Sequence, residues 1–411
     1  MNKKNLLILI VAAAVLGAAG IAVFKKNQSQ WSESGEEIGD KLIADFPIND
    51  VAEVSLEDKD GNVQLRKQGE SWVVVNRNGY PANFDDIQGL LTGIWRMEAI
   101  QRPKVGESHL GRLKLQDPAK AESAEESAIK VTLKDGSGKA LNTVYIGKEH
   151  MTKAQSNGGF GGGSWPDGRY VMVGSDVSTV SLVKETFQSA GTKVPNWLSK
   201  DFFKVEKLKS VQYTDAAGTN SWKLVRDSES AELQLANAGE KEIVNDTNAR
   251  SLKTLFSSPS FTDVDVETDP VKTGLDKPAK VVISTFDNFT YEIAIGGEDS
   301  DENRYLSMKV TADIQKERAP GEDEKEEDKA KLDKEHADQV AKLEEKLENE
   351  KKFEGHTFLV SGWTVNSVMK PRSEMVKEKP EEKPAEPAVQ IPLKPGEALP
   401  PAPPTPPAGG N

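Results

Sequence analysis

Cysteine is absent from all 411 residues, which excludes a disulfide framework, a cysteine nucleophile and an N-terminus lipidated on cysteine. Histidine is scarce. The four residues, His109, His150, His336 and His356, stand at no metal-ligand spacing from one another or from a suitable carboxylate pair, and a His-Glu-x-x-His helix is missing. No Gly-x4-Gly-Lys-Ser/Thr phosphate loop occurs. Positive charge is in deficit: 53 Lys and Arg against 66 Asp and Glu give a formal net charge of −13. Nucleic acid is therefore not an expected partner, because phosphate binding needs a clustered basic face. The nearest such group, Lys200, Lys204, Lys207 and Lys209, reads as the solvated side of a linker.

Long apolar runs are missing too, with one exception. Between Lys3-Lys4 and Lys25-Lys26 no charged or strongly polar residue interrupts the stretch from Leu6 to Phe24, which is the length of one membrane-spanning helix. The competing reading is a cleaved signal peptide, but the run exceeds a usual signal core and no clean small-x-small site precedes a polar start. The expected layout is a cytoplasmic stub over 1–5, an anchor in the lipid bilayer over 6–24, a spacer over 25–41, and export of everything beyond. Lysines flank both ends, so orientation follows position more than charge.

What is present in place of motifs is repetition. Leu115-Gln-Asp-Pro118 returns as Leu275-Asp-Lys-Pro278. Each is followed by an alternating strand (Ile129, Val131, Leu133; then Val281, Ile283) and by a strand closing on Tyr145-Ile-Gly147 or Ala294-Ile-Gly296. A repeat of this length implies two copies of one domain. The copies share apolar positions and no constellation of catalytic side chains, so the repetition reports architecture.

The coarse reading is α+β. A meander over Val51, Val54, Leu56, Val63, Leu65 and residues 72–75 is broken by Lys59-Asp-Gly61 and Gln68-Gly-Glu70 turns. Ile87, Leu90, Leu91 and Ile94 then fall at helical spacing behind an Asp85 cap. Strands follow near 129–133, 143–146 and 170–173. The second copy repeats the order, with a helix through Leu252, Leu255 and Phe256 behind an Asp246/Thr247 cap. Trp222 aligns with Val63 rather than with Trp72, and both tryptophans are expected in the core. The domains are placed at 42–200 and 201–370, each an antiparallel sheet plus a helix.

The copies are expected to differ in the connection before residues 170–173 and 358–360, taken as counterparts. The first carries a glycine-rich loop, Ser156-Asn-Gly-Gly-Phe-Gly-Gly-Gly-Ser-Trp165, whose Phe160 and Trp165 are the candidate recognition tip. The second carries a charged insertion over 315–353, with Leu332, His336, Val340, Leu343 and Leu347 as a narrow stripe. That pattern reads as a solvated helical arm or short coiled coil making few contacts, so deletion of 321–352 should leave the fold intact. With 12 of the 22 prolines in the last 41 residues, 371–411 reads as a disordered tail. Ser181/Lys184 and Lys272-Thr-Gly274 lack the intervening Ser-x-Asn that a penicillin-binding serine site requires. No residue is assigned a catalytic, cofactor-binding or metal-binding role, and no cofactor is expected.

The order of parts resembles the bacterial family called domain of unknown function 4340. The resemblance rests on the N-terminal anchor, Phe46-Pro-Ile-Asn-Asp-Val-Ala-Glu-Val54, Leu65-Arg66, Trp72-Val-Val, Tyr80-Pro-Ala82 before the Ile87 helix, Leu115-x-x-Pro118, and Tyr145-Ile-Gly147 before Arg169-Tyr-Val171. It implies an envelope protein often encoded beside multidrug or gliding-type ABC export components, and it supplies no catalytic residues. With the anchor and the missing motifs, the expectation is a non-enzymatic protein of the inner membrane with its bulk in the periplasm, an accessory or binding subunit that partners an ABC permease and its auxiliary subunits in export or gliding-type transport. A structural protein bridging envelope layers and an enzyme of unrecognised type are the alternatives. The charged insertion and proline tail depart from the family pattern.

Overall fold

The computed structural model describes residues 39–152, 164–267, 269–320 and 324–379. The apolar stretch over 6–24 lies outside them; among the described residues no helix is long and apolar enough to cross a membrane.

Short alternating runs build the first sheet. A meander of β1 (Val51–Glu57), β2 (Asn62–Gln68), β3 (Ser71–Val74) and β4 (Tyr80–Pro81) meets a second one of β5 (Ile129–Asp135), β6 (Ala140–Met151), β7 (Pro166–Val173) and β8 (Ser181–Val183). β1 pairs with β5, giving the antiparallel order β4-β3-β2-β1-β5-β6-β7-β8. Side chains alternate across a strand, so Val63, Leu65, Val131, Leu133, Val144 and Ile146 all turn into one core. Helix α1 (Phe84–Arg96) adds Ile87, Leu90, Leu91 and Ile94 to it. Each such burial contributes roughly 1.5–3 kcal/mol. The cap is Asn83, whose side chain accepts from the Asp85 N–H at 3.2 Å; Asp85, expected in that role, sits in the first turn, where a carboxylate favours the helix dipole.

The second copy repeats the plan. Its strands β9 (Leu208–Thr214), β10 (Ser221–Val225), β11 (Gln234–Leu235), β14 (Ala279–Thr285), β15 (Phe289–Glu298), β16 (Asn303–Ala312) and β17 (Thr357–Ser361), with β13 (Asp263–Asp265) at the edge, form the order β11-β10-β9-β14-β15-β16-β17-β13. Strand register sets the equivalence residue by residue. Val54 lies between Leu65 and Leu133, and Val211 between Leu224 and Ile283. Leu56 lies between Val63 and Val131, and Tyr213 between Trp222 and Val281. Trp222 therefore occupies the place of Val63, as the sequence alignment has it, and Trp72 and Trp222 are both buried. The helix α2 (Asp246–Leu252) is shorter than expected. Its N-cap Asn245 makes no side-chain capping bond, the expected Asp246 and Thr247 lie inside the helix, and Leu255 and Phe256 are buried in the turns beyond it.

The repeated phrases touch one another. A side-chain carbon on Gly147 would collide with the Leu113 carbonyl and the Leu115 side chain, and one on Gly296 with the Thr273 carbonyl, with Leu275 close behind. The Leu-x-x-Pro loop lies so close across the strand that only glycine fits beneath it. Lys114 and Gly274, at matching positions before the two leucines, both have positive φ, 52° and 71°.

Three expectations about the ends and inserts are corrected. The glycine-rich loop joins β6 to β7, but the charged arm joins β16 to β17, one connection later in the shared order; β7 corresponds to β16, and residues 358–360 to β8. The arm is not a free helix either. Its helix α4 (Glu326–Lys351) sets Leu343 and Leu347 against the second core, with Phe353 just beyond, and the limb before it runs back alongside through Lys316 to Glu344 (2.8 Å) and Arg318 to Asp333 (2.6 Å) and Glu324. Leu332, His336 and Val340 are thereby already half-buried. Finally, residues 371–379, assigned to the tail, belong to the fold. Here α6 (Arg372–Met375) buries Met375 completely, and β18 (Val376–Glu378) pairs with β12 (Glu242–Val244), beside an Arg372 to Glu242 ion pair at 2.6 Å. Residues 380–411 lie outside the description. The remaining short helices are α3 (Pro270–Thr273) and α5 (Gly362–Asn366).

The cores of the two copies are continuous through Trp197, Leu198, Phe203 and Val205. The Tyr80-Pro-Ala82 segment is the joint. Ala82 bridges to Leu198, and the Tyr80 ring meets Phe261, His356 and Phe358 edge-on at 5.8, 5.1 and 5.9 Å. Arg77 closes the seam with two bonds to the Asp263 carboxylate, at 2.8 and 2.6 Å.

Candidate functional site

Below that joint, between the copies, opens a cleft of about 700 Å³, inside the size range of ligand sites. The linker supplies one wall with Phe202, Lys204 and Glu206; the end of α4 and the turn after it supply the other with Lys346, Glu350 and Phe353; Tyr80 closes the first copy's side. Phe202 is held by a ring cluster with Phe203 (4.6 Å), Phe261 (5.1 Å), Phe353 (5.7 Å) and Phe358 (4.7 Å).

Glu350 anchors the arm at the cleft floor. It is buried, and its Oε2 accepts from the Tyr291 hydroxyl at 2.6 Å while its Oε1 accepts from the Lys204 N–H at 3.0 Å. Lys346 Nζ lies 3.7 Å from the same Oε1 and reaches Glu206 at 2.6 Å and the Lys204 carbonyl at 3.0 Å. Burial pushes the Glu350 carboxyl above its ordinary range, against the pull of Tyr291, the Lys204 amide and Lys346. Burial first, and then the Glu350 charge, raise the Tyr291 hydroxyl, so the proton stays on the tyrosine. Glu206 goes the other way, lowered chiefly by its bond from Lys346. Buried carboxylate, exposed lysines and an aromatic wall equip the cleft for an apolar side chain flanked by charge. Both Glu350 oxygens are already bonded, so this carboxylate holds the wall in place.

The residues singled out from the sequence lie elsewhere. Phe160 falls outside the described residues. Trp165 is 61% exposed at the neck of the β6–β7 hairpin, where its backbone exchanges bonds with Thr152 at 3.0 and 3.3 Å; it does not line the cleft. The histidines are dispersed: His150 Nδ1 is 2.6 Å from Asp167, His109 Nδ1 is 3.1 Å from Ser108, and His356 meets the Tyr80 ring edge-on, its imidazole pKa lowered by burial. Among the described residues no three His, Asp or Glu side chains group as a metal would need.

The lysines read as a solvated linker face are all exposed, and they divide among tasks. Lys204 borders the cleft, Lys200 lies 5.2 Å over the Phe261 ring, and Lys207 pairs with Asp287 at 3.0 Å. The residue that sequence reasoning missed is Glu350. One signal was available: it continues the stripe of Leu343 and Leu347 at i+3, so an acid falls on the apolar side of the arm. Its partner Tyr291 had no such signal, since β15 reads as an ordinary alternating strand.

A family model described as Domain of unknown function (DUF4340) matches residues 72–278. That span begins at Trp72 in β3 and runs through β4 to β8, the joint and the second Leu-x-x-Pro phrase. No curated protein and no solved structure matches the chain.

Proposed function

Because this chain belongs to the family described as Domain of unknown function (DUF4340), we propose that it is a non-enzymatic binding subunit, held at the bacterial inner membrane by residues 6–24 with its two copies in the periplasm. There it serves as accessory to an ABC-type export or gliding-type transport assembly. The observation that carries this reading is the cleft between the copies. Its walls come from three separate parts of the chain, it combines Tyr80, Phe202 and Phe353 with a lysine rim, and its floor is a carboxylate already fully bonded. Such a site fits capture of a partner segment by apolar contact with charged flanks.

The test is purification of the tagged chain from detergent-solubilised membranes. An ABC permease and its ATPase should be recovered with it, and a Phe202→Ala, Phe353→Ala double variant that remains folded should lose them. Recovery of peptidoglycan or outer-membrane proteins in their place would favour the envelope-bridging role. For topology, protease added to spheroplasts should digest a C-terminal tag while the mature chain keeps its first residues; protection of the tag would overturn the orientation, and a mature start beyond Phe24 would replace the anchor by a signal peptide.

A further inference from the structure

The two copies set the same strand over the same loop and treat the charges there differently. In the first copy Arg112, Lys148, Glu149, His150, Met151 and Tyr170 line a cavity of about 500 Å³. The equivalence of Gly147 with Gly296, and of Leu115 with Leu275, puts Lys272, Gly297, Glu298, Asp299 and Tyr305 in the places of Arg112, Lys148, Glu149, His150 and Tyr170. In the second copy the charges are answered internally. Lys272 reaches Glu267 at 2.7 Å, Arg304 reaches Glu298 at 2.6 Å, and the Asp299 carboxylate accepts from the Asp301 and Asn303 amides at 2.9 and 2.8 Å.

The first copy lacks that closure. Arg169, the counterpart of Arg304, gives its guanidinium to the carbonyls of Gly147, Thr186 and Phe187 and stands 3.8 Å from Glu149, which balances that carboxylate. His150 is tied to Asp167. Arg112 and Lys148 are left over. Both are exposed, and among the described residues neither makes an ion pair or a side-chain hydrogen bond. Two cations that line one cavity with no ion-pair partner among the described residues, in a chain of net charge −13, suit an anion, and a guanidinium together with an ammonium suits phosphate oxygens.

We propose that this cavity binds a phosphoryl group, held by Arg112 and Lys148, with Met151 and Tyr170 against the remainder of the ligand. A free phosphate compound and a phospholipid headgroup offer the same chemistry, and the test separates them. The full chain in neutral detergent is titrated calorimetrically with inorganic phosphate and with monomeric dihexanoyl phosphatidylglycerol. Saturable binding is expected, weakened at least about tenfold by Arg112→Gln with Lys148→Gln, and likewise by Lys148→Glu alone. Lys272→Gln, in the closed copy, should leave it unchanged. Tighter binding of the lipid identifies the headgroup as the source, and equal or tighter binding of inorganic phosphate identifies a free phosphoryl compound. These variants alter exposed side chains, so an unchanged melting temperature shows that any loss is local. Absence of saturable binding by either probe, or binding that survives the double variant, would overturn the assignment.

Discussion

In the first copy β7 returns to β8 through a single 3-10 turn at Val177–Thr179, whereas in the second the same connection carries all of α4 before β17 begins. Both sheets tolerate their version because an insert between strand ends leaves the strand pairing intact, and added chain length there costs little entropy. The second copy then makes use of the insert: Leu343, Leu347 and Glu350 cover a face on which Tyr291 would otherwise carry a buried hydroxyl with only the Lys204 carbonyl beside it. Duplication kept the strands and the glycine beneath the loop, and divergence went into connections and surface charges.

The largest effect expected from this comparison is on the arm. Deleting 321–352 should destabilise the second copy by about 3–5 kcal/mol, through loss of two part-buried leucines and exposure of the Tyr291 site. The first copy should be affected only through the joint. Amide hydrogen exchange read separately over β5–β7 and β14–β16 distinguishes them, and equal loss of protection in both would show that the copies do not fold as separable units.

Next in size is the glycine beneath the loop. Gly147→Ala and Gly296→Ala should each cost about 2–3 kcal/mol, since the added carbon meets backbone carbonyl that cannot rotate away. Denaturant melts of the two variants should agree within about 1 kcal/mol. A neutral result at either position breaks the equivalence on which the alignment of the copies rests.

Arg77→Ala should cost about 1 kcal/mol, because the Arg77 and Asp263 side chains are only part-buried and solvent screens the pair. Its more specific consequence is looser coupling, visible as a broader transition or a separation of the two copies' melts. A transition of unchanged sharpness would assign the coupling to the Tyr80 ring cluster alone.

The smallest effect is a difference in sign with pH. The bond from Lys134 holds Glu53 in the first copy below its ordinary value of 4.5. Its contribution is present above pH 4.5 and is lost as pH falls through the lowered value. Burial holds Glu350 in the second copy above 4.5, so its contribution is full below pH 4.5 and is lost as pH rises through the raised value. On acidification the stability of the wild type relative to Glu53→Gln should shrink, and relative to Glu350→Gln it should grow. Urea melts from pH 7 to pH 4 that moved both differences the same way would contradict this account of the two carboxylates.

Much of the architecture is legible in the sequence. The α+β class, the apolar faces of β1, β2, β5 and α1, and the alignment of Trp222 with Val63 all follow from periods of 2 and 3.6 and from repeated phrases. The errors came where local pattern competes with long-range packing. Asn83 outranked Asp85 as a cap because the turn out of Tyr80-Pro81 places Asn83 outside the helix with its side-chain oxygen accepting from the Asp85 N–H. Met375 and Val376 escaped notice because they border a proline-rich stretch, although β12 sits ready to pair with the segment. The arm was misjudged because its charged faces outnumber its stripe, and three contacts at one end suffice to seat a long helix.

By itself the sequence determined that the chain contains two copies of one antiparallel α+β unit, and that no cysteine, histidine cluster or phosphate loop supplies familiar chemistry. Periodicity and composition are local properties, readable one segment at a time. Only the tertiary structure decided which connection carries the arm, that the Tyr80 segment welds the copies, that Glu350 and Tyr291 meet 59 residues apart in the chain, and that Arg112 and Lys148 have no ion-pair partner among the described residues where the second copy closes on itself. Those outcomes depend on which strand edges and charges come within a few ångströms after folding, and distances of that kind have no signature in the spacing of residues along the chain.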